Sequence, residues 1–340
     1  AEVVVNPLAD GGEGTVDALI EGLGAKKIPV TVTGPLGEKV SCYYGFLEET
    51  KSAVMEMASA AGITLVTKKD PLRASTYGVG EMIADALKRG CKNFIIGIGG
   101  SATNDGGIGM LKALGFEFFD EDGNDVGEGA AALAKIEVIQ TENKNPLLSG
   151  AKFQIACDVK NPLCGKQGAT YIFGPQKGVT EEQKEQVDEA MRHYADVTKE
   201  SLDCDFADCE GAGAAGGLGY AFLSYLAGEL IPGVELILQA TGLEEKMKNA
   251  DVVVTGEGRL DAQTVMGKAP VGVAALAKKY NAKVIAFAGS VAPEASVCNQ
   301  AGIDAFFPIV RGVTTLEEAM KKENAMENIA ATAEQVFRLL

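Results

Sequence analysis

The stretch Asn93-Phe-Ile-Ile-Gly-Ile-Gly-Gly-Ser-Ala-Thr-Asn-Asp-Gly-Gly107 decides how this chain folds. Phe94 to Ile98 is a short apolar run of the kind that forms a buried parallel strand. It ends in Gly99-Gly100-Ser101, and Met110, Leu111 and Leu114 then recur at helical spacing. A strand, a glycine turn and a helix in that order present backbone N–H groups and a helix N-terminus to an anion. Glycine lets a ligand come close to the backbone, while Ser101, Thr103, Asn104 and Asp105 crowd the same loop with polar groups. Gly99, Gly100, Ser101, Thr103 and Asn104 are therefore expected to line an anion site. Asp105 is expected beside them as a proton-transfer group or metal ligand.

Two further segments share this design. Asp10-Gly-Gly-Glu-Gly-Thr15 follows an expected strand at Val3 to Asn6, and Val254-Thr-Gly-Glu-Gly-Arg-Leu-Asp261 follows one at Val252 to Thr255. Ligands of parallel sheets sit at the carboxyl ends of strands, so the three loops are expected to converge on one cleft. Asp10, Gly11, Gly12, Glu13, Gly256 and Glu257 then become ligand-binding candidates. Asp158 ends a short strand, Phe153 to Ala156, just before Asn161-Pro162. It either serves a substrate hydroxyl or Mg²⁺, or forms an Asx turn. Phe173-Gly-Pro-Gln-Lys177 reads as a strand and turn carrying a flexible cation; Lys177 either neutralises a phosphate or is simply solvated. Arg259 and Lys268 lie among glycines and acids. Arginine suits bidentate recognition of carboxylate or phosphate, and the plainer alternative is an exposed ion pair with Glu257 or Asp261. No Walker A motif is present, and His193 falls off the apolar stripe of its helix, which argues against histidine chemistry. Gly97-x-Gly99-x-x-Ala102 with Asp120 fits the loose dinucleotide fingerprint, which keeps a nicotinamide-dependent hydroxy-acid dehydrogenase as a rival reading.

Around these loops, alternating residues from Val30 to Met57 suggest antiparallel strands about Pro35-Leu36-Gly37, and Ser75 to Arg89 repeats with helical period. Thr180-Glu-Glu-Gln183 is a capping box, followed by a stripe of Val187, Met191, Tyr194 and Thr198. After Pro232, strands at Val252 to Thr255, Val284 to Ala288 and Ala305 to Ile309 alternate with helices, which implies a parallel sheet. The expected fold is two-domain α/β. Residues 1–70 and 233–340 form a discontinuous Rossmann- or flavodoxin-like parallel-sheet domain, residues 71–232 an inserted α/β domain, and the active site lies in the cleft between them.

Composition narrows the function. The 340 residues carry a formal net charge of −16, which argues against nucleic acid or an anionic membrane as partner. Seven scattered cysteines and one histidine make a zinc site of those ligands a poor fit and point to a reducing cytoplasm. The uncharged run Gly211 to Gly228 begins Gly-Ala-Gly-Ala-Ala-Gly-Gly, too glycine-rich for a membrane helix, and reads as a glycine loop feeding a buried helix.

The ordered motifs carry more than any one loop. Ala9-Asp-Gly-Gly-Glu-Gly-Thr15, Thr33-Gly-Pro-Leu-Gly37, Ile98 to Gly107, Ala156-Cys-Asp-Val159 with Asn161-Pro-Leu163, Ile172 to Gly178, Gly211 to Gly217, Thr255-Gly-Glu-Gly-Arg259 with Asp261, and Gly267-Lys268 run nearly the length of the chain. In this order they resemble the bacterial glycerate kinase family of the glyoxylate-degradation type. The resemblance implies ATP- and Mg²⁺-dependent phosphorylation of D-glycerate to 2-phosphoglycerate by a cytoplasmic two-domain α/β enzyme, with a homodimer left open. Applying that chemistry to the matching positions makes Asp158, Asp105 and Arg259 catalytic candidates. Asp105 and Asp158 are also metal ligands; Asp10, Gly11, Gly12, Glu13, Asn161 and Lys177 become substrate contacts; and Gly99, Gly100, Ser101, Thr103, Asn104, Gly256, Glu257 and Lys268 nucleotide contacts. The resemblance also implies a strand and an Asp-Ser-x-Lys-like loop upstream of the Asp10 loop, which these residues lack, and a threonine where Val79 stands. A non-catalytic sugar-acid binder is the third reading.

Overall fold

The computed structural model describes residues 2–6, 8, 15–265 and 267–339, with Thr15, Ala18 and Glu21 as backbone only. The expectations placed on Asp10, Gly11, Gly12 and Glu13 lie outside the described residues. The chain forms two compact units, one of residues 11–236 and one of residues 1–10 with 237–340.

The strands in chain order are β1 Lys26–Thr33, β2 Lys39–Leu47, β3 Ser52–Glu56, β4 Asn93–Gly97, β5 Glu117–Phe119, β6 Val138–Gln140, β7 Lys152–Ala156, β8 Glu229–Ile231, β9 Val252–Leu260, β10 Lys283–Val291 and β11 Ala305–Pro308. The larger unit is built on a six-stranded sheet in the order β1-β2-β3-β4-β7-β8. β1, β2 and β3 pair antiparallel, as their alternation predicts, while β3, β4, β7 and β8 run parallel. The register aligns Glu56, Gly97, Ala156 and Ile231 across the parallel half. The chain therefore leaves four neighbouring strands at one edge, and their outgoing loops are held side by side. The core beneath gathers Tyr44, Met55, Met82, Phe94, Phe118, Tyr194, Tyr220 and Phe222. β4 and β7 lock through stacked Phe94 and Phe153 rings, 4.8 Å apart between centroids.

In the smaller unit β9, β10 and β11 make a parallel sheet, with β10 central. Val252 to Val254 pair with Lys283 to Ile285, and Ile285 and Phe287 pack with Ile309 and Val336. The helix Ala269–Lys278 returns the chain from β9 to β10, the crossover connection that parallel strands require.

Three expectations are corrected. Residues 3–6 form no strand. The boundary expected at residue 70 falls inside the larger unit, because β3 hydrogen-bonds to β4 and draws residues 26–56 into the same sheet. Finally, Thr255 to Arg259 is not a loop but the second half of β9. Gly256 pairs with Phe287 there, and a Cβ on it would sit 2.2 Å from the Phe287 carbonyl oxygen. That glycine serves a close strand approach rather than a turn.

Candidate active site

The carboxyl edge of the parallel half is built from the loops after β3, β4, β7 and β8. The loop after β4 is tied down on several sides. Gly100 and Ala102 pair with the segment after β3: Ile63 N–H donates to the Gly100 carbonyl at 2.8 Å, and Ala102 N–H to the Ala61 carbonyl at 2.9 Å. Behind it, Gly106 N–H donates to the Gly216 carbonyl at 2.9 Å. Gly216 sits at φ +69°, and a Cβ there would meet the Thr103 carbonyl oxygen at 2.2 Å. The glycine run Gly211 to Gly217 is thus a clasp for this loop, and it feeds the buried helix Leu218–Leu226 as its composition suggests. Among the described residues no helix is long and apolar enough to cross a membrane.

Within the loop, exposure is uneven. Gly99 and Gly100 are exposed, and a Cβ on Gly99 would have nothing within 4 Å. Every residue from Ser101 to Met110 is buried. The side chains of Ser101, Thr103 and Asn104, expected at a nucleotide, are thus buried in this structure. The helix after the loop also differs from the expectation. It begins only at Ile108 and has 6 residues, too short and too far on to offer an N-terminus to a ligand at Gly99.

Asp105 is fully buried and its carboxylate is already engaged. Oδ2 accepts from Thr76 N–H and Thr76 Oγ1, each at 2.8 Å, and from Gly109 N–H at 3.3 Å; Oδ1 accepts from Gly107 N–H at 3.1 Å. Burial pushes this carboxyl group above its ordinary range, and the four donors work in the opposite direction. Asp105 is expected as a base or metal ligand; in this geometry its carboxylate ties the helix Tyr77–Lys88 to the helix Ile108–Ala113. Thr76 is the residue the sequence reading missed. It lies inside the stretch read as helical, but the helix begins at Tyr77, and its hydroxyl bonds Asp105 and Met110 N–H instead of capping that helix.

Asp158 follows β7 as Gly99 follows β4, each two residues beyond a register-paired strand end. It stays exposed, and Oδ1 accepts from Gly233 N–H at 2.8 Å. Asn161 donates to the Gln167 carbonyl at 2.7 Å and is half-buried. Gly99, Gly100 and Asp158 are thus brought to one edge. Among the described residues no three His, Cys, Asp or Glu side chains form a metal cage. Mg²⁺ carried by substrate phosphates needs only one or two protein carboxylates, and exposed Asp158 fits that demand.

Lys177 departs furthest from expectation. Residues 169–177 are a helix, not a strand and turn, and Lys177 is only 2% exposed. Its Nζ donates to the Thr103 carbonyl at 2.7 Å, and burial lowers its pKa to about 7. It is not placed to touch a substrate.

The smaller unit holds its own cluster. Glu257 on β9 accepts from Thr264 Oγ1 and lies 3.4 Å from Lys268 Nζ. Lys268 stands at the N-cap of the helix Ala269–Lys278. Arg259 is 68% exposed and lies 3.7 Å from Asp261, a loose pairing that leaves the guanidinium at the surface. His193 is half-buried and its Nε2 contacts the Ile136 carbonyl at 2.7 Å.

A glycine turn and a carboxylate at the carboxyl edge of a parallel sheet define the class of α/β proteins that hold small anionic ligands there. Comparison with known proteins makes the class specific. The family model described as the glycerate kinase family matches residues 1–340. The chain is 46% identical over 332 residues to glycerate kinase of Bacillus subtilis (strain 168), covering 97% of this chain and 86% of that protein. It is 46% identical over 339 residues to glycerate 2-kinase of Escherichia coli (strain K12), covering 98% and 89%. A crystal structure of a protein assigned as glycerate kinase 2 from Salmonella typhimurium LT2 superposes with a TM-score of 0.87 at 43% identity, over 98% of this chain and 89% of that one. The chain belongs to the glycerate kinase family, and it is an enzyme of the kinase class.

Proposed function

We propose that this chain transfers the terminal phosphoryl group of ATP to the 2-hydroxyl of D-glycerate, giving 2-phosphoglycerate and ADP. The observation that carries the reading is the near-full-length identity to a protein named glycerate 2-kinase. Phosphoryl transfer leaves little covalent work to the protein: it positions the acceptor, neutralises charge and excludes water. Asp158 orients the glycerate hydroxyl and takes its proton as the O–P bond forms. The exposed Gly99–Gly100 backbone cradles a nucleotide phosphate. Arg259 binds the glycerate carboxylate or an equatorial phosphoryl oxygen, and Lys268 neutralises nucleotide charge beside Glu257. Mg²⁺, carried by the nucleotide phosphates, would offset the charge gathered on the transferring group.

The test is ADP release with D-glycerate and ATP–Mg²⁺, with the product identified by NMR. Expected is glycerate-dependent ADP and phosphate on the 2-oxygen. Asp158→Asn and Arg259→Ala should each lower kcat/KM by about 10²-fold or more with the fold intact. Folded protein that releases no ADP above background refutes the reading. Glycerate-induced thermal stabilisation without ADP would indicate a binder, and glycerate-dependent NADH formation a dehydrogenase.

A further inference from the structure

The helix Ala169–Lys177 is turned with a polar stripe inward. Thr170, Gly174 and Lys177 stand at i, i+4 and i+7, one face of a helix, and all are buried. Ile172, between them, is 44% exposed, while Tyr171 and Phe173 are half-buried. Hydrophobic burial alone would favour the opposite orientation. An apolar stripe would pack there at no desolvation penalty, whereas a buried ammonium is among the costlier groups to place in a protein interior.

The contacts of the stripe give the reason. Lys177 at the last turn donates to the Thr103 carbonyl at 2.7 Å, and Thr170 at the first turn accepts from Asn104 Nδ2 at 3.0 Å. Two side chains two turns apart thus grip consecutive residues of the loop after β4. That loop is already fixed on its other side, where Gly100 and Ala102 pair with residues 61–63. The exposed Gly99–Gly100 tip lies beside these anchorages. Pulling the Thr103 carbonyl toward Lys177 also sets the orientation of the next N–H, since a planar trans peptide points the two in opposite directions. Thr103 Oγ1 and Asn104 Oδ1 are buried without a protein partner among the described residues, so the loop is not held there by its own side-chain acceptors.

We infer that the helix Ala169–Lys177 is a strut for the anion-binding loop, with Lys177 and Thr170 as positioning residues that act on the nucleotide through the backbone of Thr103 and Asn104 without touching it. The inference deepens the kinase reading and rests on it for the identity of the ligand. It replaces the expectation that Lys177 meets a substrate phosphate directly.

Lys177→Met keeps the length and volume of the side chain and removes the donor; Thr170→Val is nearly isosteric and removes the acceptor. The expected result is a KM for ATP raised about tenfold in Lys177→Met and about threefold in Thr170→Val, with the KM for D-glycerate changed less than about twofold. Amide hydrogen exchange, read without turnover, should quicken in peptides covering residues 98–107 and stay unchanged in peptides from β10. A KM for ATP within about twofold of wild type in folded variants, or unchanged exchange in residues 98–107, overturns the inference. So does a parallel loss of kcat, both KM values and thermal stability, which is the mark of a merely structural residue. If Lys177→Met does not fold, Thr170→Val decides by the same criteria. Wild-type turnover separates the two ideas: no glycerate-dependent ADP removes the kinase reading, whereas active wild type with an indifferent loop removes only the strut.

Discussion

At the scale of single residues, the two aspartates singled out by the sequence have opposite environments. Both follow a strand in a polar turn, so nothing in local sequence distinguishes them. Asp158 remains exposed with a backbone donor at 2.8 Å, whereas Asp105 is 0% exposed and receives four donors from two helices and the intervening turn. Two of those donors come from Thr76, far away in sequence, and no local pattern announces that. Asp105→Asn presents an NH₂ group to donors that need an acceptor. It should therefore lower the unfolding free energy by about 3 kcal/mol, measured by urea denaturation, whereas Asp158→Asn should leave it within about 0.5 kcal/mol. Equal stability of Asp105→Asn and wild type would return Asp105 to the set of chemical groups.

At the scale of elements, glycine explains both what was legible and what was not. The run Gly211 to Gly217 reads from sequence as a loop, and it is one, but its purpose lies in contacts that sequence cannot display. Gly216 combines a left-handed backbone with a Cβ direction aimed at the Thr103 carbonyl. Gly216→Ala should accordingly cost about 3 kcal/mol, the sum of a left-handed penalty and a forced shift of the loop. Gly123 shares a positive φ, +78°, but has nothing within 4 Å, so Gly123→Ala should cost only about 1 kcal/mol in the same urea titration. Equal costs at the two positions would show that the clasp carries no strain of its own. Strand and helix positions were legible wherever periodicity was strong: β1 to β3, β4, β7, the capping box at Thr180 and the buried stripe of the helix Glu181–Leu202. The helix Ala169–Lys177 was not, since a threonine, a glycine and a lysine on its inner face hide the usual apolar period. β9 ran past its expected end because Gly256 and Gly258 look like turn residues until β10 is placed against them.

At the scale of the whole molecule, each unit has its own sheet and its own packed apolar residues. The larger unit packs Tyr44, Phe94, Phe118, Tyr194, Tyr220 and Phe222 into one cluster under its six-stranded sheet. The smaller closes its sheet with Ile285, Phe287, Ile309 and Val336, while Val313, Leu316, Met320 and Met326 remain exposed on its last segments. Sequence alternation revealed the parallel sheet of the smaller unit but misplaced the division, because the antiparallel texture of β1 to β3 gave no sign that β3 continues into β4 as a parallel neighbour. Stability follows buried apolar surface, so the smaller unit should open at lower denaturant than the larger. Urea unfolding followed by amide exchange should show β9 and β10 peptides losing protection first, with a shallow denaturant slope fitting the smaller surface exposed. Peptides from β4 and β7 should follow in a second, steeper transition. A single transition shared by all four strands would mean that the molecule unfolds as one cooperative body despite its two cores.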